Sequence, residues 1–474
     1  MKKGAIVFLA CLSSLCLKAQ DKNEDFQNYR KGILEGFQGF RKNILDDYAK
    51  FLDGIWKDYE VFAGKKANPK PKPDVQPTKK EDEPVPNPTT IEPEIVEPAE
   101  PVVEDQTPTP KPIVIPSKKQ TPFNWCDMTF ELPDAIIKEN LYGIEKEHIV
   151  EYFNILQNSK INNEVIPQLE TISQNANLND WCKYLLIESY VNTIKADANT
   201  NTRNFICWYM MVSSGFDVRL SLNGDKLFYL IPFQQQIYGK CYLLINDTPY
   251  YIFGEGTPEN SRGFYTPTIP DATGKFVNAV LTRPLNIQYK ARRFTHSFSS
   301  KTLSVEVNEN IINVMSKFPQ MPIPSYAISE GDNKARKQLL SQMKQFITGK
   351  TETEAANFIL KFIQSFKYAT DDEQFGYEKP FFIEESLFYP KCDCEDRSIL
   401  YHYLVTMLLG RDVHLVHYPN HECTAVNFSK EINADSYMYN GKQYVICDPT
   451  YIGASIGMCM PDFRKTKPEV ELVK

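Results

Sequence analysis

Cys392-Asp393-Cys394-Glu395-Asp396-Arg397-Ser398 leads directly into Ile399, Leu400, Tyr403, Leu404, Met407 and Leu408, apolar residues at the spacing of one helix face. The spacing predicts a buried amphipathic helix over 395–409. Asp393 suits its N-cap, where a carboxylate accepts a bond from a free N–H of the first turn. Gly410 suits the left-handed position that ends it. Cys394 then stands where the helix dipole favours a thiolate. Asp393, Glu395 and Asp396 oppose that, because negative charge beside a thiol raises its pKa. Three things would relieve the conflict: His421 held as an imidazolium, Arg397 neutralising a carboxylate, or a bound cation, for which oxygen ligands of this kind suit calcium.

Downstream, 413–417 reads as a strand, Tyr418-Pro419-Asn420 as a turn, and His421 opens a second strand through Ala425, Val426 and Phe428. Residues 437–439 and 444–447 form a hairpin around Asn440-Gly441. Asp448-Pro449-Thr450 ends its second strand. His421 at one strand's start and Asp448 at an antiparallel neighbour's end come side by side. A thiol at a helix start, an imidazole and a carboxylate, in that order, supply a nucleophile, its proton acceptor and an orienter for that acceptor.

Each reading has a plainer rival. A lone buried cysteine is usually core, and the first-turn acids are most simply partners of the helix dipole. His417 competes with His421, whereas His402 and His414 read as ordinary polar positions. Cys392, Cys394, His421 and Cys423 would offer four zinc ligands, a reading that leaves Asp448 without a role.

With these residues placed, 352–463 resembles the transglutaminase-like superfamily, in particular bacterial transglutaminase-like cysteine proteinases with a papain-like core. Asp393-Cys394-Glu395-Asp396 looks like the family's Cys motif, His421-Glu422-Cys423-Thr424-Ala425-Val426 like its His strand, and residues 444–451 (YVICDPTY) like its Asp strand. The resemblance implies Cys394 as nucleophile, His421 as base and acid, and Asp448 as orienter. It implies no required cofactor; calcium, which some bacterial members hold on acids flanking the Cys, would fall to Asp393 and Glu395. The sequence departs from the pattern at Cys392, where Gly is usual, and at Cys423. Besides the backbone N–H of Cys394, a second oxyanion donor is open, with Gln364 and Gln374 as candidates by chemistry.

The rest of the chain divides by composition. Met1-Lys2-Lys3, the apolar run 5–17 and Lys18-Ala19-Gln20 read as a signal peptide cut after Ala19, and lipidation of Cys11 or Cys16 is the lesser alternative. In 20–62, Phe26, Phe37, Tyr48 and Tyr59 are eleven apart, as are Tyr29, Phe40, Phe51 and Phe62. That period keeps one apolar stripe on a long helix, and self-association or docking on a partner would cover it. Fifteen of the 32 prolines fall between Pro69 and Pro122, so 63–122 is expected to be a disordered linker.

Residues 123–253 read as an α+β domain, with helical patterns at 133–159 and 164–196. Residues 254–330 read as β-rich, and 331–474 as the transglutaminase-like domain. Gly215-Phe216-Asp217-Val218 overlays Gly410-Arg411-Asp412-Val413, which sets Asn199, Lys226 and Phe253 on Cys394, His421 and Asp448. An internal repeat with a dead first copy and a chance likeness are both open.

The net charge of -7 and the absence of a basic stripe argue against nucleic acid as a partner. No later segment is long and apolar enough for a membrane span. The nine cysteines outside the signal leave at least one thiol unpaired in an oxidising compartment. The expectation is an exported, periplasmic or secreted α+β protein. It would cleave peptide or amide bonds of a protein or peptide substrate outside the cytoplasm, by a Cys394–His421–Asp448 triad through a thioester. The alternative is a non-catalytic binding or scaffolding protein built on an inactive domain of the same type.

Overall fold

The computed structural model describes residues 59–62, 68, 89–91, 94–96, 120–133, 135, 137–259, 263–267 and 274–473. The fold is α+β, with mixed helices and curled, mostly antiparallel sheets. In chain order the strands are β1 (Tyr59–Phe62), β2 (Thr90–Ile91), β3 (Glu94–Val96), β4 (Gln120–Trp125), β5 (Met128–Pro133), β6 (Arg219–Asn223), β7 (Lys226–Pro232), β8 (Tyr242–Ile245) and β9 (Thr248–Phe253). They continue as β10 (Phe264–Pro267), β11 (Ala291–Phe298), β12 (Lys301–Asn308), β13 (Asp412–Tyr418), β14 (His421–Asn427), β15 (Ser436–Tyr439), β16 (Lys442–Cys447) and β17 (Glu469–Glu471).

One sheet runs β1-β10-β6-β7-β9-β8 and the other β2-β15-β16-β14-β13-β17-β3. All of the first but β1, the run β10-β6-β7-β9-β8, repeats the order β17-β13-β14-β16-β15 of the second. Each set follows a helix, Thr200–Ser213 in one case and Cys394–Leu409 in the other. Each also closes its last hairpin through two residues at positive φ, Asn246-Asp247 and Asn440-Gly441. Both turns have the backbone sign that suits the right-handed twist of a two-residue hairpin.

The Cys394–Leu409 helix forms over the predicted span, but from Cys394 to Val405 it is buried on every side, not along one face, and Met407 of the predicted apolar face is exposed. Asp393 and Asp396 make a reciprocal capping box, and Gly410 takes the left-handed conformation at φ 64°. Its apolar face joins a core that also holds Ile359, Leu360 and Ile363 of the helix Glu352–Gln364 and Leu415 and Val426 of the sheet. Tyr401 Oη donates to the Ala356 carbonyl at 3.3 Å, fixing the two helices to each other. On the sheet's other face Val416, Cys423, Tyr437, Ile446 and Val470 form a separate apolar cluster.

Several expectations need correction. Residues 20–58 of the expected amphipathic helix lie outside the described residues, but Tyr59–Phe62 is a strand antiparallel to β10. A sheet edge there offers backbone partners that outweigh a helical pattern at its last turn. The linker expected over 63–122 contributes β2 and β3 and begins β4 at Gln120. Residues 133–159 are not one helix: Pro133 ends a strand and the helix is Lys146–Gln157. Residues 164–196 break into Ile166–Asn175 and Asp180–Ile194, the second opened by the Asn179 cap. The segment taken as β-rich also carries the helices Glu309–Met315 and Ile323–Ile328. Among the described residues no helix is long and apolar enough to cross a membrane.

A buried ion pair ties the helix Asn333–Ile347 to the loop ahead of Cys394. Arg336 donates through Nε (2.6 Å) and Nη2 (3.2 Å) to Glu384, which also accepts from the Asp332 N–H at 2.8 Å. Removing one member of such a pair strands the other charge in the interior. Glu384→Ala is therefore expected to lower unfolding free energy by about 3–5 kcal/mol in denaturant titration.

Candidate active site

Cys394 is the first residue of its helix, His421 the first of β14, and Asp448 follows the last residue of β16. The register Thr424↔Cys447, Ala425↔Ile446, Val426↔Val445 brings β14 and β16 together antiparallel, so His421 and Asp448 meet at one end. His421 Nε2 and Asp448 Oδ2 lie 2.8 Å apart. Asp448 Oδ1 accepts the N–H groups of Thr450 (2.8 Å) and Tyr451 (3.1 Å), which leaves the carboxylate no freedom to turn away. His421 Nδ1 is buried and makes no hydrogen bond. Phe463 stacks on the ring at 5.2 Å and 7° and fixes its plane.

Gln364 fastens the loop that carries Asp448. Its Nε2 donates to the carbonyls of Asp448 (3.2 Å), Tyr451 (2.9 Å) and Ala454 (3.1 Å), and its Oε1 accepts the Gly453 N–H. As a candidate for the second oxyanion donor Gln364 does not serve, because its amide is spent on these carbonyls. Gln374 donates to the Lys391 carbonyl at 3.4 Å and is likewise engaged.

The thiol of Cys394 does not hydrogen-bond to His421. It faces the backbone N–H of Glu422, the next residue along β14. Cys394 and His421 are both 0% exposed, so the resting site is closed. Burial, then Asp393 and Glu395, push the Cys394 thiol well above its ordinary range, so the flanking acids prevail over the helix start. Arg397, also buried, does not relieve it. Its guanidinium donates to the carbonyls of Phe366 (2.7 Å) and Pro449 (3.4 Å).

The rivals resolve by position. His417 bonds Glu422 through Nδ1 at 3.1 Å and is not paired with Asp448. Burial lowers His402 and His414 to about 4, so both are neutral. Cys392, Cys394, His421 and Cys423 do not converge. Among the described residues the thiol that comes within 4.8 Å of a His421 nitrogen and an Asp448 oxygen is Cys423. Strand alternation puts His421 and Cys423 on one face, a signal legible in H-x-C but not weighed for the dyad. Burial and Asp448 hold Cys423 well above the usual thiol range.

A second cluster was half foreseen. Asp371, Glu378, Asp393 and Glu395, all buried, bring carboxylate oxygens within 4.8 Å of one another. Asp393 and Glu395 stand in the Cys motif, but nothing in the sequence ties Asp371 and Glu378 to it. Lys379, the nearby cation, pairs with Glu385 instead.

The like strand order shows which residues of the first sheet stand at the equivalent positions. Asn199 caps its helix as Asp393 caps the second, which matches Thr200 to Cys394. Lys226 opens β7 as His421 opens β14. Tyr229↔Phe253 corresponds to Thr424↔Cys447, so Asp448 is matched by Gly254, one residue beyond the ungapped overlay. Gly254 sits at φ 115°, and a Cβ there would come within 2.9 Å of the Asn204 amide. An acid cannot replace it without displacing that side chain.

Comparison with family models, with curated proteins and with solved structures returned no match.

The charges around Cys394 set a measurable reactivity. Because Glu395 raises the thiol pKa, Glu395→Gln is expected to move the pH profile of Cys394 alkylation downward and speed labelling several-fold at pH 8. Site-resolved mass spectrometry after iodoacetamide pulses checks this; an unchanged profile would remove Glu395 as a cause.

Proposed function

We propose that the C-terminal part of the chain is a transglutaminase-like, papain-like domain that cleaves peptide or amide bonds by acyl transfer to Cys394, outside the cytoplasm. The observation that carries the reading is the His421–Asp448 bond. Asp448 takes Nε2, and Nδ1 is left over, buried and without a hydrogen bond.

In this reading His421 Nδ1 accepts the Cys394 proton as sulfur attacks the carbonyl carbon. The same proton then goes to the leaving nitrogen as the C–N bond breaks and a thioester forms. Water, deprotonated by the same nitrogen, cleaves the thioester and returns the thiol. Backbone N–H groups at the start of the Cys394 helix face the developing oxyanion. The high thiol pKa argues for proton transfer concerted with attack, not for a standing thiolate–imidazolium pair. The step requires the closed site to open and Sγ to turn from Glu422 N–H toward Nδ1.

The four buried carboxylates fit calcium, since the donor set is all oxygen and anionic. Asp371, Glu378, Asp393 and Glu395 would hold the ion, which would supply positive charge to offset the field of Asp393 and Glu395 at Cys394. On this reading calcium raises the melting temperature of the full chain, and Asp371→Asn removes the rise. At a hundredfold excess over Kd the stabilisation is about 2.7 kcal/mol. A melting point indifferent to calcium would discard the ion.

The alternative, a binding or scaffolding protein with an inactive domain, is favoured by the closed site and the perturbed thiol. The two separate on peptide hydrolysis by the full chain. Cys394→Ala should abolish turnover, His421→Ala should cost about 10²–10⁴ in kcat, and Asp448→Asn should lower kcat with KM little changed. Equal activity in Cys394→Ala would end the enzymatic reading.

A further inference from the structure

We propose that the outer edges of β15 and β17 form a strand-accepting seam whose occupant is the chain's own segment 89–96, and that its occupancy holds the turn bearing Phe463 over His421. The segment pairs in parallel with both edges: Thr90 and Ile91 with Ser436 and Tyr437, and Glu94, Ile95 and Val96 with Glu469, Val470 and Glu471. In a flat sheet six strand spacings would part β2 from β3 by roughly 29 Å. Ile91 and Glu94 are three residues apart and cannot be separated by more than about 11 Å. The sheet must therefore curl until its edges come within reach of one short segment.

Occupancy of the seam is wired to the active site through Asp435, which is buried. Its Oδ1 accepts the Thr89 N–H (2.8 Å) and Arg464 Nη2 (2.6 Å), and its Oδ2 accepts the Cys459 N–H (2.9 Å). The Ser436 N–H returns a bond to the Thr89 carbonyl at 3.0 Å. Cys459 and Arg464 bracket the turn Pro461–Phe463, whose Phe463 stacks on His421 at 5.2 Å and on Tyr418 at 4.8 Å. One carboxylate thus joins the incoming strand to both ends of the cover over the imidazole.

The recognition chemistry is strand addition, in which main-chain bonds supply affinity. The sequence TTIEPEIV suits it, with β-branched residues and with Pro88, Pro93 and Pro98 interrupting further pairing. Held in the same chain, the segment competes at high effective concentration against strands from elsewhere. Displacing it would free the Phe463 turn and admit substrate. The proposal rests on the site proposed above only for that consequence, and its test reads thiol access instead of turnover.

The experiment replaces residues 89–96 of the full chain with glycine and serine and follows two signals: alkylation of Cys394 and amide exchange by peptide. The expected result is at least tenfold faster labelling of Cys394, with faster exchange confined to β15, β17 and residues 459–464. A synthetic peptide of residues 86–99 should restore slow labelling. Unchanged labelling overturns the proposal. So does loss of protection across the Cys394 helix, since the segment would then be integral to the core. Labelling of the unaltered chain that changes with protein concentration would assign the seam to a second copy and overturn occupancy within one chain.

Discussion

A single hydrogen bond, His421 Nε2 to Asp448 Oδ2, decides what the site can do. An imidazole has two nitrogens, and fixing one fixes the task of the other. The bond stands only because β14 and β16 are in register, because two backbone N–H groups hold the second oxygen of Asp448, and because Gln364 pins the loop beyond it. Gln364 lies on the helix that packs against the Cys394 helix. The packing that places sulfur at a helix start therefore also sets the carboxylate at the end of its strand.

The electrostatics pull against this geometry. Three buried acids, Asp393, Glu395 and Glu422, act on the thiol, Asp371 and Glu378 cluster with the first two, and the Arg397 guanidinium gives two of its bonds to carbonyls. Asp396 is held well above the usual carboxylate range by burial first and by its acidic neighbours next. Such a surrounding keeps sulfur protonated. It also concentrates negative potential in a water-poor interior, where protons or a cation are the ways to lower it. The N-terminal helix dipole alone is too small to reverse this, being worth about 0.3–1 kcal/mol at most surface sites.

Local signals in the sequence were sufficient wherever local interactions decide the outcome. The 394–409 helix follows from its cap, its apolar spacing and Gly410, and the last hairpin follows from Asn440-Gly441. The pairing of His421 with Asp448 was legible because two adjacent antiparallel strands leave few alternatives. The acids Asp371 and Glu378 were not legible, since only the tertiary fold brings their loop to the Cys motif. The role of Gln364 was not legible for the same reason: its chemistry suits an oxyanion, but its partners are carbonyls distant in sequence. The thiol's high pKa was half legible, in that the flanking acids were visible and complete burial was not.

The proline-rich composition of 63–122 predicts a segment that cannot bury enough apolar surface to fold, which holds for a segment in isolation, yet among its described residues Thr90–Ile91 and Glu94–Val96 are strands. A segment beside an open sheet edge faces a different balance. The backbone groups that face the edge find partners already fixed in place, so little further ordering is required of the sheet. Two edges brought together by curling offer such partners on both sides of a few residues, and Asp435 adds a side-chain acceptor at the entry point. The first sheet shows the same logic, where Tyr59–Phe62 adds to β10 as Glu94–Val96 adds to β17. In both sheets the added strand sits beyond the strand next to β6 or β13, the two equivalent edges. What reads as spacer along the sequence is, at these positions, part of the sheets it precedes.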